Sequence, residues 1–220
     1  MRHYAKLLRA TLTASLMLVA LAGAADAGPL EDASAAYHHG DYATALRLFR
    51  PLADQGFPGA QYNLGVMYQQ GKGVPQDYSE AAKWFRLAAD QGVPSAQANL
   101  GFLYKQGTGV PQDFSEALKW WRKAADQGEA VAELNLGLMY ADGQGVPQDY
   151  VQAHMWLNLA ASQFPSSEKE NREIAVKNRD LIASKMTPAQ IAEAQKLARE
   201  WTPKSGTPTG WWQRVLGFFR

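Results

Sequence analysis

The sequence predicts an all-α protein whose helices form a solenoid of helix-turn-helix repeats. The first observation is a period of 36 residues, at which Gly65, Gly101 and Gly137 recur, and the block 57–92 is identical to the block 93–128 at 25 of 36 positions. The second observation is a Gly-x-Gly-Val-Pro-Gln-Asp loop that divides each block into two helical segments. The third is a composition of 46% hydrophobic and 20% charged residues, which suits a chain that buries a core. Because one hairpin buries too little surface to fold alone, neighbouring hairpins are expected to stack.

We expect residues 1–27 to be a secretory signal peptide. Three basic residues near the start precede an uncharged stretch of 16 residues, 10–25, and the small-x-small sequence Ala25-Asp26-Ala27 begins at its last residue. The alternative is an uncleaved membrane anchor, which needs about 20 predominantly apolar residues. The signal peptide predicts an exported protein, and the periplasm is the expected compartment.

The segment 28–56 is predicted to form an N-terminal hairpin with the short connection Gly40-Asp41. It matches the second half of the repeat one period earlier but lacks the Gly-x-Gly-Val-Pro loop. Three full repeats follow, at 57–92, 93–128 and 129–164.

Within the second full repeat, local signals define both helices. We expect the first helix to run from about Pro94 to Gln106, because Pro suits a first helical turn and Gly107 suits a helix end. Asp113 is predicted to cap the second helix, and Glu116, three residues later, is predicted to complete a capping box. The glycine at 101 should allow the second helix to approach closely.

The repeat resembles a known family. Each copy contains Asn-Leu-Gly-x-x-Tyr, then the Gly-x-Gly-Val-Pro-Gln-Asp loop, then Ala-x-x-Trp, and two copies end in Ala-Ala-x-Gln-Gly. These motifs are similar to those of the Sel1-like repeat family, whose members are related to tetratricopeptide repeats. The resemblance implies a right-handed α-solenoid, in which 28–56 is a tetratricopeptide-like hairpin and the first helix of each pair lines a concave groove.

Carrying that groove over by position gives a set of binding candidates. They are Tyr62, Asn63, Val66, Gln69, Ala98, Asn99, Phe102, Lys105, Leu134, Asn135, Leu138 and Ala141. The three Asn residues either hydrogen-bond the backbone of a bound peptide or satisfy neighbouring helix backbones. Val66, Phe102 and Leu138 either form an apolar groove floor or pack between adjacent helices.

The C-terminal third is predicted to contain two capping helices within 165–202. The first lies within 168–186, and its apolar members are expected to be Ile174, Leu181, Ile182 and Met186. The second should begin with Thr187 as its N-cap and Gln190 in a capping box, and should end near Trp201.

Residues 203–220 are predicted to be a linker followed by an amphipathic aromatic tail. On a helix, one arc of that tail would hold Trp211, Trp212, Val215, Leu216, Phe218 and Phe219. Three roles stay open for it: contact with a membrane interface, docking in a partner's groove, or folding back onto the solenoid's own apolar surface.

The sequence offers little for catalysis or cofactor binding. The absence of Cys excludes thiol nucleophiles, disulfides and thiolate metal sites. His38 and His39 are adjacent and point to different helix faces, and His154 has no second ligand nearby, so no metal is expected. The recurring carboxylates Asp77, Asp113 and Asp149 are explained as helix caps. A net charge of +1 argues against nucleic-acid binding.

The function expected from these observations is that of an exported, non-catalytic scaffold that binds a segment of a partner protein and needs no cofactor. The resemblance implies roles such as envelope assembly, polysaccharide export or regulation of sensor kinases. Two alternatives stay open: a cell-wall-directed hydrolase such as a β-lactamase-like enzyme, and a peripheral membrane protein anchored by its tail.

Overall fold

A computed structural model describes residues 27–203. Within that range the chain forms ten α-helices and no strand, which confirms the all-α prediction. The helices are α1 Ala27–His38, α2 Tyr42–Asp54, α3 Pro58–Gln70, α4 Tyr78–Asp90, α5 Pro94–Gln106, α6 Phe114–Ala125, α7 Ala130–Asp142, α8 Tyr150–Gln163, α9 Lys169–Ala183 and α10 Pro188–Glu200. Each helix packs against the next from α1 to α9, and α10 also packs against α8. The result is an α-solenoid of hairpins closed by two helices.

The predicted helix ends are present. The backbone N–H groups of Ser115 and Glu116 donate to Asp113 Oδ1 at 2.9 and 3.0 Å, and Gly107 ends α5 in the left-handed region at φ +68°. The capping box of Thr187 and Gln190 is also formed. The predicted capping box at Glu116 was wrong in its second half, because the Glu116 carboxylate accepts from Lys119 Nζ and Trp120 Nε1 instead.

Within each hairpin, a glycine of the first helix allows contact with a large side chain of the second. A Cβ at Gly101 would lie 2.7 Å from the indole of Trp121, and a Cβ at Gly65 would lie 2.6 Å from the ring of Phe85. The indole of Trp121 is fixed there, because its Nε1 donates to the carbonyl of Ala98 at 2.9 Å. The predicted close approach at Gly101 therefore occurs, and the side chain that fills the space is Trp121.

Between hairpins, the recurring tryptophans bind each unit to the one before it. Trp120 is buried in a cluster with residues of α4 and α5, including Phe85 and Leu100. Arg86 lies over the Trp120 ring at 5.0 Å, and the same pairing recurs for Arg50 with Trp84 and for Arg122 with Trp156. Cation–π contacts of this kind contribute about 0.5–2 kcal/mol each.

The loops also join successive hairpins. Gly109 adopts φ +75°, and a Cβ there would collide with the backbone carbonyl of Tyr78 at the start of α4. The Ser79 hydroxyl donates to the carbonyl of Gly109 at 3.2 Å. The second glycine of each loop is therefore required both by its conformation and by the backbone packed against it.

A buried ladder of side-chain amides follows the period of the repeat. In the first two full repeats, Gln61 Nε2 donates to the carbonyl of Ala53 at 3.2 Å and Gln97 Nε2 donates to the carbonyl of Ala89 at 3.1 Å. A second Gln, 30 residues further along, donates to the side-chain oxygen of each. The sequence analysis did not identify this ladder.

The third repeat has Glu133 at the ladder position. Its Oε1 accepts from Gln163 Nε2 at 3.0 Å, but its Oε2 is buried without a hydrogen-bond partner, and the side chain has no exposed surface. In the preceding repeat, Gln97 occupies the equivalent position and donates a hydrogen bond. The carboxyl group of Glu133 can act as a donor only when it is protonated. Burial, together with the nearby Glu129, raises the pKa of Glu133 to about 8.

Helix α9 leaves two of the apolar residues predicted for it partly exposed. Ala175 and Ile182 are buried, whereas Ile174 and Leu181 are 38% and 56% exposed. Because Ala175 and Ile182 are seven residues apart, they lie on one face of the helix and pack in the cluster around α8. Of the apolar residues predicted for this helix, Ile182 is therefore buried, whereas Ile174 and Leu181 lie towards its exposed side.

The raised pKa of Glu133 predicts a pH-dependent stability that Glu133→Gln removes. Between pH 4.5 and about 8, the unfolded chain has lost a proton that the folded chain keeps, so the free energy of unfolding falls as pH rises through this window. The variant should be more stable at pH 8 by roughly 1–3 kcal/mol, because the amide restores the missing donor. Urea unfolding at pH 5, 6.5 and 8 measures this, with Glu173→Gln on exposed surface as the control. Equal pH slopes for Glu133→Gln and the wild type would contradict it.

Gly101→Ala is predicted to reduce the free energy of unfolding by about 1–3 kcal/mol, because the new methyl group overlaps the hydrogen-bonded indole of Trp121. The same substitution in a Trp121→Ala background should cost much less, because the methyl group then faces a cavity. Chemical unfolding of the four proteins in this double-mutant cycle measures the coupling. An unchanged cost in the second background would show that the contact does not limit helix approach.

Candidate functional site

A cavity of about 510 Å³ opens on the surface formed by the first helices of successive hairpins, α1, α3, α5 and α7, which we term the first-helix face. Its lining consists of Tyr37, His38, Tyr62, Val66, Gln69, Gln70 and Asn99. Four of these side chains were among the predicted groove residues. Tyr37 and His38, on α1, were not predicted, because the predicted groove began only at residue 57. Gln70 was not predicted either, because it lies one residue beyond the last position carried over on α3.

Tyr62 forms one wall of the cavity. Its ring lies 5.9 Å from that of Phe85, and its hydroxyl is hydrogen-bonded to Asn99. Burial, and secondarily the nearby Glu129, raises the pKa of Tyr62 to about 12. The phenol is therefore uncharged at any physiological pH and presents a ring face and a neutral polar group.

Tyr37 and Gln70 form another part of the cavity wall. The Tyr37 hydroxyl donates to Gln70 Oε1 at 2.8 Å and accepts from Lys72 Nζ at 3.3 Å. The Lys72 ammonium also lies 5.0 Å from the Tyr37 ring centre and 5.2 Å from that of Tyr42, and the Tyr37 hydrogen bond raises the pKa of Lys72. These contacts connect α1 to the loop after α3 and hold the wall in place.

An acidic group lies next to Tyr62 on the same face. Ser95 Oγ donates to Glu129 Oε2 at 3.4 Å. Removal of water from this carboxylate raises the pKa of Glu129 to about 7, an effect that the Ser95 hydrogen bond opposes and the charge of Glu168 reinforces. Near neutral pH, Glu129 therefore exchanges between its charged and uncharged forms.

The remaining predicted groove residues divide by exposure. Phe102 is 45% exposed, and Lys105, Asn135 and Leu138 are half-buried. The rest are buried between helices and offer little surface to a ligand, namely Asn63, Ala98, Leu134 and Ala141.

The three equivalent Asn residues have different surroundings. Asn63 is buried, Asn99 is hydrogen-bonded to Tyr62, and Asn135 Nδ2 donates to the carbonyl of Val131 at 2.8 Å in its own helix. At Asn135 the side-chain amide therefore bonds the backbone of its own helix, which is neither of the two roles predicted for these residues.

The described part of the chain contains no cluster of three His, Asp or Glu side chains that could hold a metal ion. His154 is buried on α8 with its Nδ1 unpartnered, and burial, followed by the charge of Arg179, lowers its pKa, so it is neutral. Between residues 27 and 203, no helix has the length and hydropathy needed to cross a bilayer. The predicted tail residues 211–220 lie outside the described range.

Two solved structures have a similar fold. A Sel1 repeat protein from Oxalobacter formigenes superposes with a TM-score of 0.58 at 30% identity, over 85% of this chain and 81% of that one. The protein c5321, a protective antigen of uropathogenic Escherichia coli strains with an SLR fold, superposes with a TM-score of 0.60 at 30% identity, over 91% of this chain and 48% of that one.

Among curated proteins, the similarity is confined to one repeat's length. DAP3-binding cell death enhancer 1 of Rattus norvegicus and that of Mus musculus are each 45% identical over 38 residues, which is 17% of this chain. The match spans only 8% of the length of those relatives. This match shows similarity to a single repeat. It gives no basis for assigning the function of those proteins to this chain.

The family comparison covers more than half of the chain. The Sel1 repeat model matches residues 33–57, 58–93, 94–129 and 130–163. The first match includes most of the hairpin that the sequence analysis interpreted as tetratricopeptide-like, so the family model counts one repeat more than the three identified from the period. On this match, and on the fold shared with solved Sel1 proteins, the chain belongs to the Sel1 repeat family.

Proposed function

We propose that this chain is an exported, non-catalytic adaptor that binds an extended segment of a partner protein on its first-helix face. Sel1 repeat proteins generally mediate protein–protein interactions on a scaffold that is generally non-catalytic. The observation that carries the proposal is the cavity of about 510 Å³, to which three successive first helices contribute. A surface shared by consecutive repeats suits a ligand that is itself linear.

The chemistry of the cavity favours a peptide over a charged small molecule. The rings of Tyr37 and Tyr62 supply apolar faces, and the amides of Gln69, Gln70 and Asn99 supply neutral donors and acceptors. An extended peptide presents backbone N–H and C=O groups that such amides can pair with, and a large side chain that can enter the cavity. Next to it, the exposed Phe102 extends the apolar surface to the following repeat.

Export is part of the proposal. The predicted signal peptide at 1–27 and the absence of Cys are compatible with the periplasm, and the partner is then an envelope protein. The hydrolase alternative has little to support it among the described residues, since the ionisable groups that line the cavity are only Tyr37, His38 and Tyr62.

A photo-crosslinking experiment tests the binding surface. A photoreactive phenylalanine analogue is placed at Phe102, and in a matched chain at Leu87, which is similarly exposed, at 46%, but lies on the second helix α4. Irradiation in intact cells should give a discrete protein adduct from position 102 and none of the same mass from position 87. Adducts of equal yield from both positions would contradict the assignment of the first-helix face.

The partner found in this way allows a quantitative prediction. Phe102→Glu should weaken its binding by about 10-fold or more, which corresponds to about 1.4 kcal/mol, because a charge replaces an apolar contact. Leu87→Glu should leave the affinity within about twofold. Calorimetry on the purified pair measures both, with thermal unfolding to confirm that each variant is folded. An unchanged affinity for Phe102→Glu would remove Phe102 from the binding site.

A further inference from the structure

We propose that the chain's own C-terminal segment, residues 211–220, docks on the first-helix face when no partner is bound. This inference rests on the proposed function, because it assigns an intramolecular competitor to the same surface. It is carried by the point at which the described chain ends, by the reach of the residues beyond, and by charge and apolar complementarity.

The described chain ends beside the loop between α6 and α7, after a last helix that packs against α8. The Trp201 ring packs edge-on against Trp156 at 5.7 Å, and its backbone N–H donates to the carbonyl of Leu197. Two residues later, Pro203 lies beside Gly128, where an added Cβ would be 3.7 Å from Pro203 Cγ. The next residue in sequence after Gly128 is Glu129, which is hydrogen-bonded to α5 across the face.

The linker is long enough to bring the tail to the cavity. The seven residues 204–210 span up to about 25 Å when extended. Packed helices lie about 8–10 Å apart, so the distance from the start of α7 past α5 to α3 is roughly 20 Å. The two tryptophans that follow the linker can therefore reach the wall formed by Tyr62.

One acidic group beside this surface suits a cationic tail, because residues 203–220 hold three basic and no acidic side chains, a net charge of +3. Residues 28–167 hold 9 basic and 14 acidic side chains, but this acidic excess lies mainly on the second helices and their caps, and α3 and α5 carry no acidic side chain. Glu129 stands between the end of the described chain and the cavity and can meet Arg214. The exposed apolar residues of α9 are a weaker target, because residues 168–202 hold 7 basic and 6 acidic side chains and do not attract a cationic tail.

Apolar contacts complete the match. Phe102 and Val131 are 45% and 38% exposed on α5 and α7, and Phe102 is the repeat equivalent of Val66, which lines the cavity. Large aromatic side chains from the tail would cover both. The indole N–H groups of Trp211 and Trp212 would meet amide oxygens of the lining, which is the polar contact that buried tryptophans require.

Because the chain has no natural cysteine, the introduced cysteines are the only thiols that a crosslinker can join. Gln213→Cys, between the aromatic residues of the tail, is paired in separate chains with Gln106→Cys on α5, Val131→Cys on α7, Leu87→Cys on α4 or Leu181→Cys on α9. A short bismaleimide is added to the purified mature chain at several protein concentrations. We expect the α5 or α7 pair to give intramolecular crosslinks at least fivefold faster than the α4 and α9 pairs, at a rate independent of protein concentration.

Other results would overturn the inference. Fastest reaction with the α9 pair would place the tail on the C-terminal cap, and crosslinked dimers that increase with concentration would indicate a second copy. Equal rates for all four pairs would show that the tail has no preferred site.

A second readout separates this inference from the proposed function. If the tail competes with the partner, a chain ending at residue 203 should bind the partner identified above severalfold more tightly than the full mature chain. A crosslinked tail without any partner binding would leave the inference standing and remove the proposed function. Partner binding without crosslinks to the α5 or α7 position would leave the proposed function standing and remove the inference.

Discussion

The structure depends on the packing of each hairpin against the one before it. Trp120 belongs by sequence to one hairpin but is buried in a cluster that includes Phe85 and Ala88 of the preceding one. Burying a side chain of this size contributes a few kcal/mol, which does not balance the ordering of a 36-residue unit. Stability therefore accumulates only as units stack, and the stacking in turn sets the spacing of the first helices.

Comparing the repeats with one another separates structural from functional positions. The glycines that receive the second helix are identical in all three copies, at 65, 101 and 137, because any side chain would overlap the facing residue. The next residue in each copy varies, from Val66 to Phe102 to Leu138, and its exposure varies as well. The second helices and the glycines thus maintain the stack, while the first-helix face is free to be shaped for a ligand.

The sequence predicted those features that local chemistry determines. The bounds of α5 and the caps at Asp113 and Thr187 follow from the residues within one helical turn, and the structure has them. Features set by distant contacts were not predictable in this way. The rotation of α9 is chosen by its contact with α8, and the contribution of Tyr37 to the cavity requires α1 to lie beside α3. The ladder residues Gln61 and Gln97 recur at the period of the repeat, so the sequence contains them. That they are buried and donate hydrogen bonds follows only from the stacking of one hairpin on the preceding one.

In the third repeat, the ladder position that holds Glu133 lies close to the end of the described chain. Gln163 donates to Glu133 and also lies beside Gly128, next to which Pro203 packs. Loss of the Glu133 proton places a buried charge where the other repeats have a neutral donor, so deprotonation destabilises this junction. Glu129 is four residues away on the same helix end and also changes charge near neutral pH. Because Gln163 connects Glu133 to Gly128 and Pro203, proton uptake and the packing of the last repeat are physically linked at one place.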